Sequence, residues 1–311
     1  MKKKISLLII AIFLLLTLIG CNESAYDKYQ NSLKRTNEVE RGREKFKIEI
    51  NNEFNNYKFS REDELLLDPF ENIISETEVS YNKDNFLADI YFKYGLQGMD
   101  FKFFKNGENQ YFEVPIIGKY VLIDNDSEIL NDMKINDVSM SEIQNEKVME
   151  FIEEVKIKYS ELIKTKDVLK LEKLDLNTPE GLVKVQKFSV NLDKVTLKVL
   201  KEEMLLLLKK YEFDLFAKSE KGVDDFFNSF DIEKFYIEAY VDHDNMIVKD
   251  ILDIEIISGK TDLDNFIKTK VVVETNRWDL NKKFSIEFPL VEDEDMVDIN
   301  SLKDLNDKFR R

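Results

Sequence analysis

The chain has 311 residues with 62 acidic and 46 basic side chains, which gives a net charge of −16 at neutral pH. Such a charge does not offset phosphate repulsion, so nucleic acid is excluded as an expected partner. A hydrophobic content of 43%, with 23 Phe and 12 Tyr, excludes a disordered stalk and predicts a packed core.

Residues 1–20 have the layout of an export signal. Lys2, Lys3 and Lys4 precede an almost wholly apolar run over residues 5–19, and Gly20 then precedes Cys21, the only cysteine in the chain. The run is shorter than the roughly 18 residues that a spanning helix needs. These features predict a signal peptide over 1–20, cleaved between Gly20 and Cys21.

Residues 18–21 read Leu-Ile-Gly-Cys and resemble the lipobox of bacterial lipoproteins. The resemblance implies a diacylglycerol on the Cys21 thiol, with acyl chains such as palmitate, and a protein anchored on the extracytoplasmic face of the cell membrane. An ordinary export signal with a chance cysteine is the alternative. Residues 1–20 hold three lysines and no acid, so their loss changes the charge from −16 to −19. An anionic membrane surface repels such a chain, which leaves the anchoring to the acyl chains.

The first half of the chain reads as a tether followed by strands. Residues 21–43 are polar without a sustained apolar face, and we interpret them as a tether, with room for a short helix. From residue 44, apolar side chains alternate with polar ones over 46–50, 88–93 and 99–103, which predicts half-buried strands. Asn106-Gly107 predicts a tight hairpin that pairs 97–105 with 108–114. A further short strand is predicted over 119–123.

The second half mixes helices and strands. Helical spacing of apolar residues predicts helices over 141–164 and 194–211, the first with a capping box at Ser141 and Gln144. A third short helix is predicted over 223–230. Strands are predicted from 168 to 192 around a turn at 177–181, then over 235–241, 246–257, 265–275 and 283–288. Residues 291–311 read as an acidic tail. Short connections favour antiparallel pairing, so the fold class is α+β.

Three stretches behind the lipobox resemble the LolA-like superfamily, which includes the LolA and LolB carriers, the LppX/LprG lipoproteins and related firmicute lipoproteins of unassigned role. They are NQYFEVPIIGKY at 109–120, KFSVNLD with its leucine-rich continuation at 187–208, and WDLNKKFSIEFP at 278–289. The resemblance implies one domain over residues 44–290. Its fold would be a strongly curved antiparallel sheet, a half-barrel, with helices packed on the concave face. In several relatives the gap between sheet and helices holds acyl chains.

Catalytic and metal-binding motifs are missing from the sequence. The single histidine, His243, lies in Asp-His-Asp-Asn, and adjacent turn residues point in different directions, so we interpret it as a turn residue rather than a ligand. The acidic groups at 124–126 and 292–295 lack calcium-loop spacing and are interpreted as solvated loops. There is no nucleophile elbow, phosphate loop or zinc-protease motif. We therefore expect no enzymatic activity, no metal and no cofactor.

The leading functional hypothesis is binding or transfer of a lipid or other hydrophobic molecule between the sheet and the helices. The alternative is a non-enzymatic structural or protein-interaction lipoprotein of the cell envelope, whose Phe side chains fill the core and whose partner is an envelope protein. An ABC-type solute receptor is disfavoured because no two-lobed β-α alternation is visible. The candidate walls of an apolar pocket are Phe46, Phe92, Phe101, Phe103, Phe235, Leu205 and Ile152.

Overall fold

A computed structural model describes residues 24–55, 68–83, 85–114, 117–123, 134–135, 138–139, 146–211, 228–258 and 266–297. Its helices are α1 (Ala25–Asn37), α2 (Glu146–Leu162) and α3 (Lys194–Tyr211). Its strands are β1 (Arg41–Asn55), β2 (Asn72–Asn82), β3 (Asn85–Tyr94), β4 (Gln97–Asn106), β5 (Asn109–Val114), β6 (Lys119–Ile123), β7 (Lys134–Ile135), β8 (Val138–Ser139), β9 (Val168–Thr178), β10 (Gly181–Asn191), β11 (Phe230–Val241), β12 (Ile247–Ser258) and β13 (Phe266–Trp278).

Eleven strands form one open antiparallel sheet. Its order is β6-β5-β4-β3-β2-β1-β13-β12-β11-β10-β9, while β7 and β8 form a separate two-stranded ribbon. Two meanders, β1–β6 and β9–β13, therefore join through the long pair of β1 with β13, whose register runs from Arg43 opposite Trp278 to Asn55 opposite Phe266. The sheet is curled like a half-barrel and carries its helices on the concave face, as predicted.

The helices cover mainly one end of the sheet. The α3 helix packs on β11 and against α2, and α1 packs on β9 and β12. The core between them includes Phe188 and Val190, both 0% exposed, and Ala239 at 1%. Large apolar side chains project from β10 and β11 at alternate positions, and the apolar stripes of the helices cover that surface.

Much of the chain-order prediction is confirmed. The Asn106-Gly107 turn has Gly107 at φ 66° and pairs Asn106 with Asn109. The helix predicted over 194–211 has those bounds. The helix predicted over 141–164 is helical from Glu146 to Leu162, and the capping box at Ser141 and Gln144 lies outside the described residues. Residues 1–23, including Gly20 and Cys21, lie outside them too, as do residues 124–126 and all but the last residues of the helix predicted over 223–230.

The tether predicted for 21–43 differs from the structure. Residues 25–37 form α1, and Tyr29 of this helix is 2% exposed within the main core. The hydroxyl of Thr36 accepts a hydrogen bond from the backbone N–H of Ile247 at 2.9 Å. Residues 41–43 already belong to β1. The short helix for which the prediction left room is therefore present, and burial of Tyr29 docks this otherwise polar helix on the sheet.

The closing strand predicted over 283–288 is also wrong. Both edges of β13 are already paired, with β1 and β12, so no neighbouring ladder is left for an additional strand. Residues 283–288 instead run along the convex face, where the ring of Phe284 lies 4.9 Å from the Arg43 guanidinium and Phe288 packs against Phe104.

The described part of the predicted C-terminal tail is attached to the sheet. The backbone N–H of Val297 donates to the carbonyl of Tyr120 at 2.9 Å, and Met296 forms a parallel bridge with Tyr120. This contact covers part of β6, the edge strand at that end of the sheet.

Candidate functional site

The concave face is apolar across most of the sheet. Directly paired residues of antiparallel strands share a face, so the registers identify its members. Ile48 of β1 pairs with Val273 of β13, which pairs with Leu252 of β12. The face carries these apolar side chains: Phe46, Ile48, Ile50, Phe54, Ile73, Val79, Phe86, Ala88, Ile90, Phe92, Met99, Phe101, Phe103, Phe112, Val114, Val121, Ile123, Phe188, Val190, Phe235, Ile237, Ala239, Leu252, Ile254, Ile256, Ile267, Val271 and Val273.

Burial divides this face into two zones. Under the helices most of its side chains are fully buried, as at Phe188 and Val190, and Ile237 is partly buried against them. On β13, β1 and β2 the apolar side chains of the same face, such as Val273, Ile48 and Ile73, are only half-buried within the part of the chain that the structure describes. We call this second zone, on β13, β1, β2, β3 and β4, the apolar trough.

The convex face has the opposite character. Cross-strand ion pairs follow one another over it, including Lys249 with Glu274 at 2.6 Å and Lys268 with Glu255 at 2.9 Å. Further pairs join Lys45 to Glu76, Lys47 to Glu49, Lys187 to Glu238, Lys234 to Asp253 and Lys102 to Asp89. Apolar side chains occur on this face in two packed clusters, one around Val185, Tyr240 and Val248 and one of Phe104 with Phe288. The continuous, half-buried apolar surface lies on the concave face.

A charged cluster closes one end of the trough. Arg277 on β13 donates to Asp250 on β12, and its Nε lies 3.7 Å from Glu44 on β1. Tyr81 on β2 donates to the same Glu44 carboxylate at 2.9 Å. Burial opposes the charge of Arg277, but Asp250 and Glu44 outweigh it and raise the pKa of the guanidinium. Burial, then the charge of Glu44, raises the pKa of Tyr81 above its ordinary value.

Two tyrosines continue this polar cluster under the helices. The hydroxyls of Tyr29 on α1 and Tyr159 on α2 lie 3.0 Å apart. Burial raises the pKa of Tyr29 to about 12 and that of Tyr159 well above its ordinary value. Both hydroxyls are therefore neutral near pH 7, and together with Arg277 they mark the polar limit of the apolar surface.

The predicted pocket residues divide among several places. Phe46, Phe92, Phe101 and Phe103 lie together in the trough and are half-buried, and Phe101 and Phe103 pack against Phe112 and Phe86 at 5.6 and 5.1 Å. Phe235 is on the same face but belongs to the packed core, with its ring 5.8 Å from that of Tyr159.

The two helical candidates lie away from the trough or outside the description. Leu205 lines a separate cleft of about 430 Å³ between α3 and the start of β11, together with Lys201 and Ile232. The side chain of Ile152 on α2 lies outside the described part. That these residues line a ligand pocket therefore stays a prediction.

Sequence reasoning did not name the aliphatic members of the trough. Ile73 and Val79 come from β2, which no predicted element covers, and Val271 and Val273 belong to a run of three valines. The β-branched residues at 73–74 and 271–273 indicate strands, but only pairing with β1 reveals which valine faces inward.

One group could offer three ligands to a metal among the described residues. One oxygen or nitrogen each from Asp242, His243 and Asp244 lies within 4.8 Å of the others. Asp242 Oδ1, however, accepts the backbone N–H groups of Asp244 and Met246 at 2.9 and 2.8 Å, as in an ordinary side-chain-stabilised turn. His243 is exposed and lies 3.2 Å from Asp244. This geometry accounts for the three residues without an ion.

Comparisons with known proteins leave the family open. No family model matches the chain, and no curated protein matches it. Among solved structures, one of lipovitellin, described for its lipid–protein interactions, aligns with 81% of this chain and 26% of its own at 6% identity and a TM-score of 0.28. A likeness at that level carries no argument about function. Within the described residues, no helix is both long and apolar enough to cross a bilayer.

Proposed function

We propose that this protein is a membrane-anchored lipoprotein that binds an acyl chain, or a similar elongated apolar molecule, in the apolar trough. The observation that carries the proposal is the contrast between the two zones of one continuous apolar face. Where helices cover β10 and β11, most of its side chains are fully buried, and on β13, β1 and β2 they stay half-buried. Exposed apolar area of that extent is costly in water, and it is the usual character of a binding surface.

The size of the trough suits one acyl chain. From Phe46 to Phe54 the strand rises about 26 Å, at roughly 3.3 Å per residue. Half the hydrocarbon core of a bilayer, about 15 Å, is the depth that one acyl chain occupies. The trough therefore has room for a chain along the strands, with the Arg277 cluster at one end to meet a polar headgroup.

The headgroup end constrains the class of ligand. Arg277 is already balanced by Asp250 and Glu44, so the cluster holds one more negative than positive charge. A free carboxylate would meet that excess negative charge, whereas a hydroxyl headgroup can donate to Glu44 and an ester headgroup carries no charge. We therefore favour an esterified or hydroxylated lipid over an ionised fatty acid.

The experiment uses the full chain in membranes that contain a phospholipid with a photoreactive acyl chain. After illumination, the attachment sites are mapped by mass spectrometry of the digested protein. The proposal predicts labels on the inward-facing residues of β13, β1 and β2, such as Ile48 and Val273. Labels confined to residues 1–23 or to the convex face would support the alternative of an interaction protein without a lipid site.

Anchoring is tested separately. Replacing Cys21 with Ala removes the only thiol, so metabolic incorporation of labelled palmitate into the protein should disappear. Persistent labelling of Cys21→Ala would refute the lipobox interpretation and leave an ordinary export signal.

A further inference from the structure

A second cleft, of about 410 Å³, lies beside α1 at the helix-covered end of the sheet. It is formed by α1, the hairpin of β9 and β10, and the turn after β11. Three lysines from three different elements line it: Lys28 from α1, Lys173 from β9 and Lys184 from β10. None of these residues belongs to the trough.

These lysines differ from those on the convex face. There, Lys45, Lys102 and Lys268 each pair with a carboxylate of a neighbouring strand. No described carboxylate lies within ion-pair distance of the Lys28, Lys173 or Lys184 ammonium groups. In a chain with a net charge of −16, a concavity where three lysines outnumber two carboxylates is a local exception to the repulsion of anions.

The acidic residues of the cleft balance part of this charge and leave one surplus positive charge. Asp175 and Asp242 line it, and Oδ1 of Asp242 is occupied by two backbone N–H groups. His243 adds an exposed imidazole at the rim, beside Asp244. The surplus of ammonium groups over carboxylates therefore favours an anionic ligand, and lysine is a common partner of phosphate.

The position of Lys28 determines which anion is within reach. Lys28 is the seventh residue after Cys21, so the chain between them spans at most about 25 Å. If Cys21 carries the anchor, as proposed above, the cleft is held near the headgroup layer, where anionic phospholipids concentrate phosphate.

We propose that the cleft formed by Lys28, Lys173 and Lys184 binds a phosphate group, supplied by the headgroup of an anionic phospholipid beside the anchor. This assignment rests on the proposed anchoring for the source of the phosphate, and on the cleft alone for its chemistry. It gives the acidic domain one fixed orientation on a surface that otherwise repels it.

The test titrates the full chain, in neutral detergent, with dihexanoyl phosphatidylglycerol, dihexanoyl phosphatidylcholine and inorganic phosphate, and calorimetry measures each affinity. A triple variant, Lys28→Gln with Lys173→Gln and Lys184→Gln, removes the three cations. The matched control, Lys45→Gln with Lys102→Gln and Lys268→Gln, changes the net charge equally but on the convex face. Such surface substitutions leave the fold intact.

We expect phosphatidylglycerol to bind more tightly than phosphatidylcholine, with at least a tenfold loss in the triple variant and less than a twofold change in the control. Inorganic phosphate that binds as tightly as phosphatidylglycerol, with the same loss, would support the cleft and assign it to free phosphate. Equal affinity of the two lipids with no loss in the triple variant would overturn the proposal. The inorganic phosphate titration does not depend on the trough, so a failure of acyl-chain binding is distinguishable from a failure of the cleft.

Discussion

At the scale of single residues, the buried hydroxyl of Tyr29 determines how the free energy of unfolding changes at alkaline pH. Tyr29 is almost fully buried, and its pKa rises from 10 to about 12. A raised folded-state pKa contributes stability that is complete below the unfolded value near 10 and is lost as the pH rises through about 12. The contribution at neutral pH is on the order of 2 kcal/mol.

Tyr29→Phe should therefore flatten the loss of stability between pH 10 and 12. The change also breaks the hydrogen bond to Tyr159, which costs about 1 kcal/mol at neutral pH. Urea unfolding at pH 8, 10 and 11.5 measures both effects. If the free energy of unfolding falls equally between pH 10 and 11.5 in the variant and the wild type, Tyr29 does not titrate as its burial requires.

Arg277 offers a second residue-scale prediction. Its side chain is 16% exposed between the carboxylates of Asp250 and Glu44. Arg277→Gln leaves two half-buried carboxylates without a cation, so the free energy of unfolding should fall by about 3 kcal/mol. The double variant Arg277→Gln, Asp250→Asn removes one of those charges and should recover part of the loss. Equal stability of the single and double variants would show that the two side chains are not coupled.

At the scale of elements, α1 is the clearest departure from the sequence-based expectation. Thr36 Oγ1 accepts from the Ile247 N–H and donates to the carbonyl of Ser32. Thr36→Val leaves a buried backbone N–H without a partner, which costs about 1–3 kcal/mol, whereas Thr36→Ser keeps the hydroxyl. A tether would tolerate both changes. Thermal or urea unfolding of the two variants distinguishes a docked helix from a tether.

The strands could be predicted because their signal is local, whereas the docking of α1 could not because its apolar signal is weak. The alternation of Phe46, Ile48 and Ile50 with charged residues fixes a half-buried strand without any knowledge of its neighbours. In α1, only Tyr26, Tyr29 and Leu33 supply an apolar stripe in a polar segment, and whether such a helix docks depends on the surface available to it. The Ser24 N-cap, which accepts from the N–H of Asp27, was a readable start signal.

Pairing between distant strands explains why the strand prediction for 283–288 was wrong and why the inward-facing valines were not named. Phe284, Ile286 and Phe288 alternate as a strand would, yet β13 already has β1 and β12 as partners. The same long-range pairing decides that Val271 and Val273 face the trough while Val272 faces outward. No local pattern contains this information, so the sequence predicts the apolar character of the site but not its list of residues.

At the scale of the whole molecule, one sheet serves two environments. Its convex face carries ion pairs, its concave face is apolar, and the described helices pack on β9, β11 and β12 of that concave face. We expect the effect of a substitution on lipid binding to depend on the face of the sheet on which the side chain lies, rather than on its position in the sequence. The valines at 271–273 test this directly, since Val273 and Val272 are adjacent, half-buried and on opposite faces.

The decisive measurement is photolabelling of the full chain by an acyl-chain phospholipid in wild type, Val273→Lys and Val272→Lys, normalised to folded protein. A lysine at 273 places a charge in the trough, where it is poorly solvated. We therefore expect at least a fivefold loss of labelling on β1 and β13. A lysine at 272 joins the charged convex face and should change labelling less than twofold. Equal labelling in all three proteins would contradict the proposal that the concave face binds the lipid.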